Sequence, residues 1–163
     1  HFGVSNQNPM QMELLRRSVR QPICVDQLQL SITNATMISQ GLNVNMENGA
    51  ALCRDGSVLD YCRLNDITIQ PWSPVQYGFF EGVFIGSGKY PALNRKLEEI
   101  AQRYGVTPTT IAFAWLLRHP AHMQPVCGTT KLPRLMEVLK AADLTLTRAE
   151  WYEIFLSAGN ELP

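Results

Sequence analysis

Hydrophobic and polar positions along this chain repeat in one order: a short apolar run, a turn rich in Ser, Asn, Gly or Pro, and then an amphipathic stretch. This order is typical of βα units and of a parallel sheet. The pattern predicts four such units, with strands at residues 2–4, 23–30, 67–72 and 124–127. The chain is therefore predicted to be an α/β protein.

Capping residues locate the predicted helices. Asn8 as N-cap and Pro9 at the first helical position begin the first helix, and Thr147 begins the last one with a capping box. Ser57 is the expected cap of a helix that ends at residue 64, and the unpatterned residues 34–56 before it predict a long loop. Further helices are predicted at 93–104, 108–118 and 132–142.

Apolar side chains at helical spacing predict which helix faces are buried. The helix at 108–118 is nearly all apolar, so we expect it to lie in the core. We also expect burial of Met12, Leu14, Leu15 and Val19 in the first helix and of Leu135, Val138 and Leu139 in the helix at 132–142.

The predicted sheet is too small to close on itself. Four parallel strands curved for a barrel leave two unpaired edges and an open interior. A complete (β/α)8 barrel needs about 250 residues, whereas this chain has 163 and begins, without a methionine, inside a predicted strand. We therefore expect one incomplete domain, residues 1–163, with the size of half a barrel and derived from a longer protein.

Charge and hydropathy exclude several classes of partner. Fourteen Lys and Arg balance fourteen Asp and Glu, and no basic cluster offers the footprint that nucleic acid or an anionic membrane surface requires. The longest apolar runs, such as 111–117, are far shorter than the roughly 20 residues that cross a bilayer. The composition predicts a cytoplasmic protein without nucleic-acid or membrane partners.

Metal binding and thiol redox chemistry are not predicted either. The cysteines are far apart and form no C-x-x-C pair, so we expect reduced thiols that pack as small hydrophobic residues. They are Cys24, Cys53, Cys62 and Cys127. Pro120 separates His119 from His122 and prevents a helical face on which both could bind a metal.

Five stretches resemble, in the correct order, the second half of an aldo-keto reductase. They are FGVSN at 2–6, DQLQ at 26–29, PWSP at 71–74, AFAWLLRHP at 112–120 and GTTK at 128–131. More narrowly, DLTLT at 143–147 and EWY at 150–152 resemble the bacterial broad-specificity branch of that family. The resemblance implies a (β/α)8 TIM barrel in which this chain supplies strands five to eight.

The resemblance also implies the reaction, which is hydride transfer from NADPH to an aldehyde or ketone. The catalytic Asp, Tyr, Lys and His of the family belong to the first half of the barrel, so we expect no catalytic residue here. The tyrosines of this half do not replace them. Tyr61, Tyr104 and Tyr152 lie on predicted helices, where a surface role is expected, and Tyr77 and Tyr90 lie in the loop after 72.

The resemblance assigns the nicotinamide end of the cofactor to the ends of the first three strands. Ser5, Asn6 and Gln27 are expected to hydrogen-bond its carboxamide, because amide side chains offer both a donor and an acceptor. Trp72 is expected to stack on one face of the nicotinamide and leave the other face open to substrate. Asp26 replaces the common asparagine of the family.

The phosphate groups are assigned to two later loops. The residues expected to cover the pyrophosphate are Ser73, Pro74, Val75 and Gln76. Relatives often carry glycines after this point, whereas this chain continues Tyr77-Gly78-Phe79-Phe80. The residues expected at the adenosine 2′-phosphate and adenine are Gly128, Thr129, Thr130, Lys131, Arg134 and Glu137. The two cations favour NADPH over NADH, and Val138 replaces an asparagine of many relatives.

Two other interpretations stay open on the sequence alone. The half barrel could associate with a second copy of itself and bind nucleotide or a partner without catalysis. In the leading interpretation its partner is instead the missing N-terminal half of the barrel. It could also be a structural fragment without affinity for the cofactor. The substrate, a small carbonyl compound in the leading interpretation, is not identified, because half of its pocket lies elsewhere.

Overall fold

Three parallel strands form the sheet on which the rest of the chain packs. The computed structural model describes residues 1–163. The strands β1 (Phe2–Ser5), β2 (Ile23–Gln29) and β3 (Thr68–Trp72) are hydrogen-bonded in that order. Their register pairs Ser5 with Gln27 and Gln27 with Gln70. The first three predicted strands are confirmed.

The predicted fourth strand at 124–127 is not formed as a regular strand, although its backbone lies beside β3. The Ile69 N–H donates to the His122 carbonyl, the Gln124 N–H to the Ile69 carbonyl, and the Val126 N–H to the Pro71 carbonyl, each at 2.9 Å. The next bond of a parallel ladder needs an N–H at Pro71, which proline lacks. The missing donor interrupts the pairing, so the sheet contains three strands where the pattern predicts four.

The chain contains seven α-helices. They are α1 (Pro9–Arg16), α2 (Thr36–Leu42), α3 (Val58–Leu64), α4 (Pro91–Tyr104), α5 (Pro108–Leu117), α6 (Leu132–Leu139) and α7 (Arg148–Ser157). None of these helices combines the length and the apolar character that a membrane span requires. Short 3-10 turns lie at Gly49–Ala51 and Lys140–Asp143.

The expected core helix α5 is buried from Thr110 to Leu116. Trp115 stacks on Trp151 of α7 with ring centroids 4.9 Å apart and an interplanar angle of 7°. Each indole N–H donates to the backbone carbonyl of the other tryptophan, at 3.1 and 3.0 Å. Because both N–H groups are satisfied, two large rings are buried without an unpaired donor.

Capping residues and apolar patterns predicted some helices correctly and others incorrectly. The capping boxes of α1 and α7 are formed as predicted. The predicted loop at 34–56 contains α2, which buries Met37 and Ile38 in the core. Ser57 does not cap α3, since it has φ +60°; instead the Asp55 carboxylate accepts from the Ser57 and Val58 N–H groups. Of the cysteines only Cys62 is buried, so the general prediction of buried thiols is wrong.

The helices at the two edges of the sheet leave apolar side chains exposed, against expectation. In α1 Met12 is buried, but Leu14 is 69% exposed, and in α6 Leu139 is 53% exposed. Leu15, Val19 and Leu135 are exposed as well. α1 follows the outermost strand on one side and α6 follows the 122–127 segment on the other, so neither has a neighbouring helix on its outer side.

Candidate functional site

Polar side chains converge where the three strands end. Asn6 follows β1 with φ +55°, a left-handed conformation that asparagine tolerates. The Trp72 indole N–H donates to Asn6 Oδ1 at 3.2 Å. The Ser5 hydroxyl and the Asn6 N–H both donate to the Gln27 carbonyl at 3.1 Å. The structure therefore brings together the four residues that the sequence assigned to the nicotinamide.

Two further glutamines join this group. Gln27 Nε2 donates to Gln70 Oε1 at 3.3 Å, and Gln70 Nε2 donates to Gln124 Oε1 at 2.8 Å. The side chains form a row across β2, β3 and the 122–127 segment. We call this row the glutamine row. Sequence reasoning missed Gln70 and Gln124. The sequence feature that could have identified them is a glutamine at an inward-facing position in each of two adjacent predicted strands.

The loop after Trp72 folds into a hairpin, which the sequence did not predict. Strand β4 (Gln76–Tyr77) pairs antiparallel with β5 (Gly82–Val83). The Gln29 side chain donates to the Gly78 carbonyl at 2.7 Å, and the Ser31 hydroxyl donates to the Gln76 carbonyl at 2.8 Å. These bonds hold the hairpin over the carboxyl end of β2.

The predicted pyrophosphate residues form the base of this hairpin. The Ser73 hydroxyl donates to Gln76 Oε1 at 3.0 Å, so the two polar side chains satisfy each other. Pro74 is buried, and Val75 packs against the core. The Phe84 N–H donates to the Val75 carbonyl at 3.1 Å. To donate to a phosphate, the Ser73 hydroxyl must leave Gln76.

Aromatic rings at the hairpin tip cover part of Trp72. The Phe80 ring stacks on the indole with centroids 5.8 Å apart and an interplanar angle of 22°, and the Phe79 ring meets it edge-on at 6.3 Å. Phe80 is 63% exposed and has φ +62°, an unusual conformation for a bulky residue. A nicotinamide that stacks on Trp72 must therefore use its other face or displace Phe80.

The predicted 2′-phosphate residues lie on the same side of the sheet. The 122–127 segment leads past β3 into Gly128 and α6, and the Lys131 N–H donates to the Thr129 hydroxyl at 3.2 Å. Thr130, Lys131 and Arg134 are exposed, and neither cation pairs with a carboxylate. The Thr110 hydroxyl donates to the Glu137 carbonyl at 2.9 Å and anchors α6 on α5. Two free cations beside a helix start can bind an anion.

Asp26 lies next to Gln27 but on the opposite face of β2. It is 0% exposed, and both of its carboxylate oxygens lack a hydrogen-bond partner. Burial raises the pKa of Asp26 to about 6, which the nearby Gln7 backbone only partly offsets. Burial, followed by the charges of Asp26 and Asp55, raises the pKa of the neighbouring Cys62 to about 12. Asp26 therefore lies behind the site, among the helices.

The histidines lie at the other end of the sheet, before the strands begin. His119 is half-buried, its Nδ1 accepts from the Ala121 N–H at 3.1 Å, and burial lowers its pKa to about 4. A cavity there is lined by Asp60, Cys62, Arg63 and His122. The chain has no group of three or more His, Cys, Asp or Glu side chains that could hold a metal ion.

A parallel βα sheet with convergent polar groups at the carboxyl ends of its strands defines an α/β protein whose ligand site lies at that edge, as in TIM barrels. Comparison with known families agrees with this class. The model of the Aldo/keto reductase family matches residues 1–155, so the chain belongs to this family of oxidoreductases.

Individual relatives match nearly all of this chain but only part of their own length. The 6-dehydroglucose reductase of Agrobacterium fabrum is 29% identical over 161 residues, which are 98% of this chain and 47% of the relative. A thermostable aldo-keto reductase solved with the inhibitor epalrestat matches with a TM-score of 0.67 and 28% identity, over 95% of this chain and 47% of that one. The chain thus spans about half the length of these relatives.

A further solved structure bears on the fold. The Bombyx mori aldo-keto reductase in complex with NADP matches with a TM-score of 0.66 and 20% identity, over 95% of this chain and 43% of that one. The family model confirms the predicted family, and the solved structures confirm a fold of the TIM-barrel type. The bacterial branch and the cytoplasmic location stay predictions.

Proposed function

We propose that this chain supplies strands five to eight and the cofactor-binding site of an NADPH-dependent reductase of aldehydes or ketones. The observation that supports this most directly is the convergence of Asn6, Gln27 and Trp72 at the carboxyl end of the sheet. The Agrobacterium relative is named a reductase, and the Bombyx mori relative was solved with NADP. The residues present fit such a cofactor, because they offer amide groups, an aromatic face and free cations together.

Each part of the site has one task in this proposal. Asn6 and Gln27 bind the carboxamide and Trp72 supports the ring, while the hairpin base at 73–76 covers the pyrophosphate. When bound, NADPH supplies a hydride to the carbonyl carbon, and the carbonyl oxygen takes a proton, which gives the alcohol and NADP⁺. The residues of this chain orient the ring so that the hydride leaves toward the substrate.

The proton donor belongs, in this proposal, to the rest of the barrel. Tyr61 donates to a Glu13 carboxylate oxygen, and burial and that bond raise the pKa of Tyr61 to about 12. The Tyr104 hydroxyl donates to Glu150 at 2.8 Å, and this bond raises the pKa of Tyr104. Both phenols lie on helices away from the strand ends, so neither can protonate a substrate held beside Trp72. We propose that the 163 residues alone do not reduce carbonyl compounds.

Replacing both Lys131 and Arg134 by alanine is expected to weaken NADPH binding about 100-fold and to leave NADH binding unchanged. Each charge-assisted bond to the 2′-phosphate is worth about 1.5 kcal/mol, or roughly tenfold. Fluorescence titration of the two nucleotides measures both affinities. Lys140→Ala, which removes another exposed cation after α6, is the matched control and should change neither. An equal loss of NADPH and NADH affinity would contradict this 2′-phosphate site.

A second candidate function, self-association, is favoured by the exposed apolar side chains of α1 and α6. These helices lie at opposite edges of the sheet, where a second copy, or the first four βα units of a whole barrel, would cover them. Sedimentation velocity across a range of concentrations separates the two interpretations. A mass that rises with concentration would support self-association, and a constant monomer mass would reject it.

A further inference from the structure

Two amide side chains at the nicotinamide site are already oriented by the protein. The Trp72 indole can only donate, so Asn6 must turn its Oδ1 toward the indole. The Asn6 Nδ2 group then faces away and has no partner. Gln27 uses its Nε2 group as donor to Gln70, so its Oε1 is the free atom. One side chain therefore offers a donor and the other an acceptor.

In the structure the amide of Gln27 points in the same direction as the other amides of the glutamine row. A primary amide can flip, and only its partners decide which end is donor. Gln70 donates through Nε2 to Gln124 at 2.8 Å, which leaves Gln70 Oε1 to face Gln27. Gln27 Nε2 donates to this oxygen at 3.3 Å. All amides in the row are thus aligned in one direction across the sheet.

The composition of this row is unusual for its place in the fold. Inward-facing positions of barrel strands are mostly filled by branched aliphatic residues. Here three adjacent inward positions carry glutamines that bond to one another. A hydrogen-bonded row costs side-chain entropy and gains little apolar burial, so its orientation of Gln27 is the feature that distinguishes it from an aliphatic layer.

We infer that Gln70 and Gln124 are positioning residues that set Gln27 as an acceptor for the carboxamide NH₂ group of the nicotinamide. The Trp72 indole sets Asn6 as the donor to the carboxamide carbonyl in the same way. This inference rests on the proposed function and adds a selectivity to it. The site should distinguish a carboxamide from a group of the same shape that lacks the N–H donors.

The test compares NADPH with its reduced 3-acetylpyridine analogue, in which a methyl group replaces the amide NH₂. The wild-type protein is expected to bind NADPH about tenfold more tightly, because the analogue leaves Gln27 Oε1 without a partner. In Gln70→Met the Gln27 amide can rotate to suit either ligand, and the preference should fall below about twofold. In Gln70→Glu the carboxylate still accepts from Gln27 Nε2, so the preference should return.

Binding of 2′,5′-ADP, which lacks the nicotinamide, reports whether each variant folds with an intact adenosine site. Its affinity should be the same in all variants. If Gln70→Met does not fold, Gln124→Met carries the test, because Gln124 is exposed and its replacement removes the bond that orients Gln70. It should reduce the preference in the same direction.

The outcomes separate the inference from the proposed function. A folded Gln70→Met or Gln124→Met protein that keeps the tenfold preference would overturn the positioning role while cofactor binding stands. A wild-type protein that binds NADPH but does not prefer it to the analogue would do the same. A wild-type protein that binds neither NADPH nor 2′,5′-ADP would overturn the proposed function and this inference with it.

Discussion

Asp26→Asn is expected to stabilise the protein more at pH 8 than at low pH, where the wild-type carboxyl is neutral. The difference between the two effects on the free energy of unfolding should be about 3 kcal/mol. Asp26 is fully buried with no partner for either oxygen, so its charged form is unfavourable in the folded protein. Asparagine has nearly the same shape and no charge.

The sign follows from the two pKa values of Asp26. Burial raises the pKa from 3.8 to about 6 in the folded protein, so the unfolded chain releases this proton first as pH rises. The wild-type stability is fully present below pH 3.8 and falls as pH rises through 6. The advantage of the variant should therefore be about half as large at pH 5 as at pH 8.

Urea denaturation of both proteins at pH 5 and pH 8 measures this difference. Asp60→Asn is the matched control, because its side chain is 61% exposed. The control should change stability by less than about 0.5 kcal/mol at either pH. An Asp26→Asn effect that is the same at pH 5 and pH 8 would show that the buried carboxylate finds a partner in solution.

Trp115→Ala is expected to reduce the free energy of unfolding by about 4 kcal/mol. The Trp115 side chain is 0% exposed and lies between α5 and α7, stacked on Trp151 and Phe155. Alanine would leave a cavity and would also leave the Trp151 carbonyl without its indole donor. Folded domains typically have a free energy of unfolding of about 5–15 kcal/mol, so this loss is a large part of it.

The same denaturation experiment measures the Trp115 effect. Trp115→Phe keeps an aromatic ring and is expected to lose about half as much as the alanine variant. Leu156→Ala, at a position of α7 that is 48% exposed, is the control and should lose less than about 1 kcal/mol. A loss below 1 kcal/mol for Trp115→Ala would mean that the two tryptophans do not hold α5 on α7.

The residues of the candidate site that could be predicted are those that lie at the ends of the strands. The resemblance placed Ser5, Asn6, Gln27 and Trp72 together, and the parallel register brings them together because carboxyl ends of adjacent strands share one edge. The hairpin over the site was not predictable, since it depends on contacts from Gln29 and Ser31, which are distant in sequence. The stacking of Phe80 on Trp72 depends on the same contacts.

What the sequence by itself determined is local. Capping groups lie within three residues of the N–H groups they satisfy, so Asn8 and Thr147 could be assigned as caps without any tertiary contact. The nearly continuous apolar run of α5 predicted its burial for the same reason: every face of that helix is apolar.

The tertiary structure decided what depends on neighbours. Pro71 lies in β3 and interrupts the hydrogen bonds between β3 and the 122–127 segment. That segment therefore does not form the strand that its sequence favours. The apolar faces of α1 and α6 are exposed because no helix lies beyond them, although their periodicity is that of buried helices. The amide of Gln27 shares its direction with those of Gln70 and Gln124, a relation that exists only between strands, since an amide has no preferred end until a partner selects one.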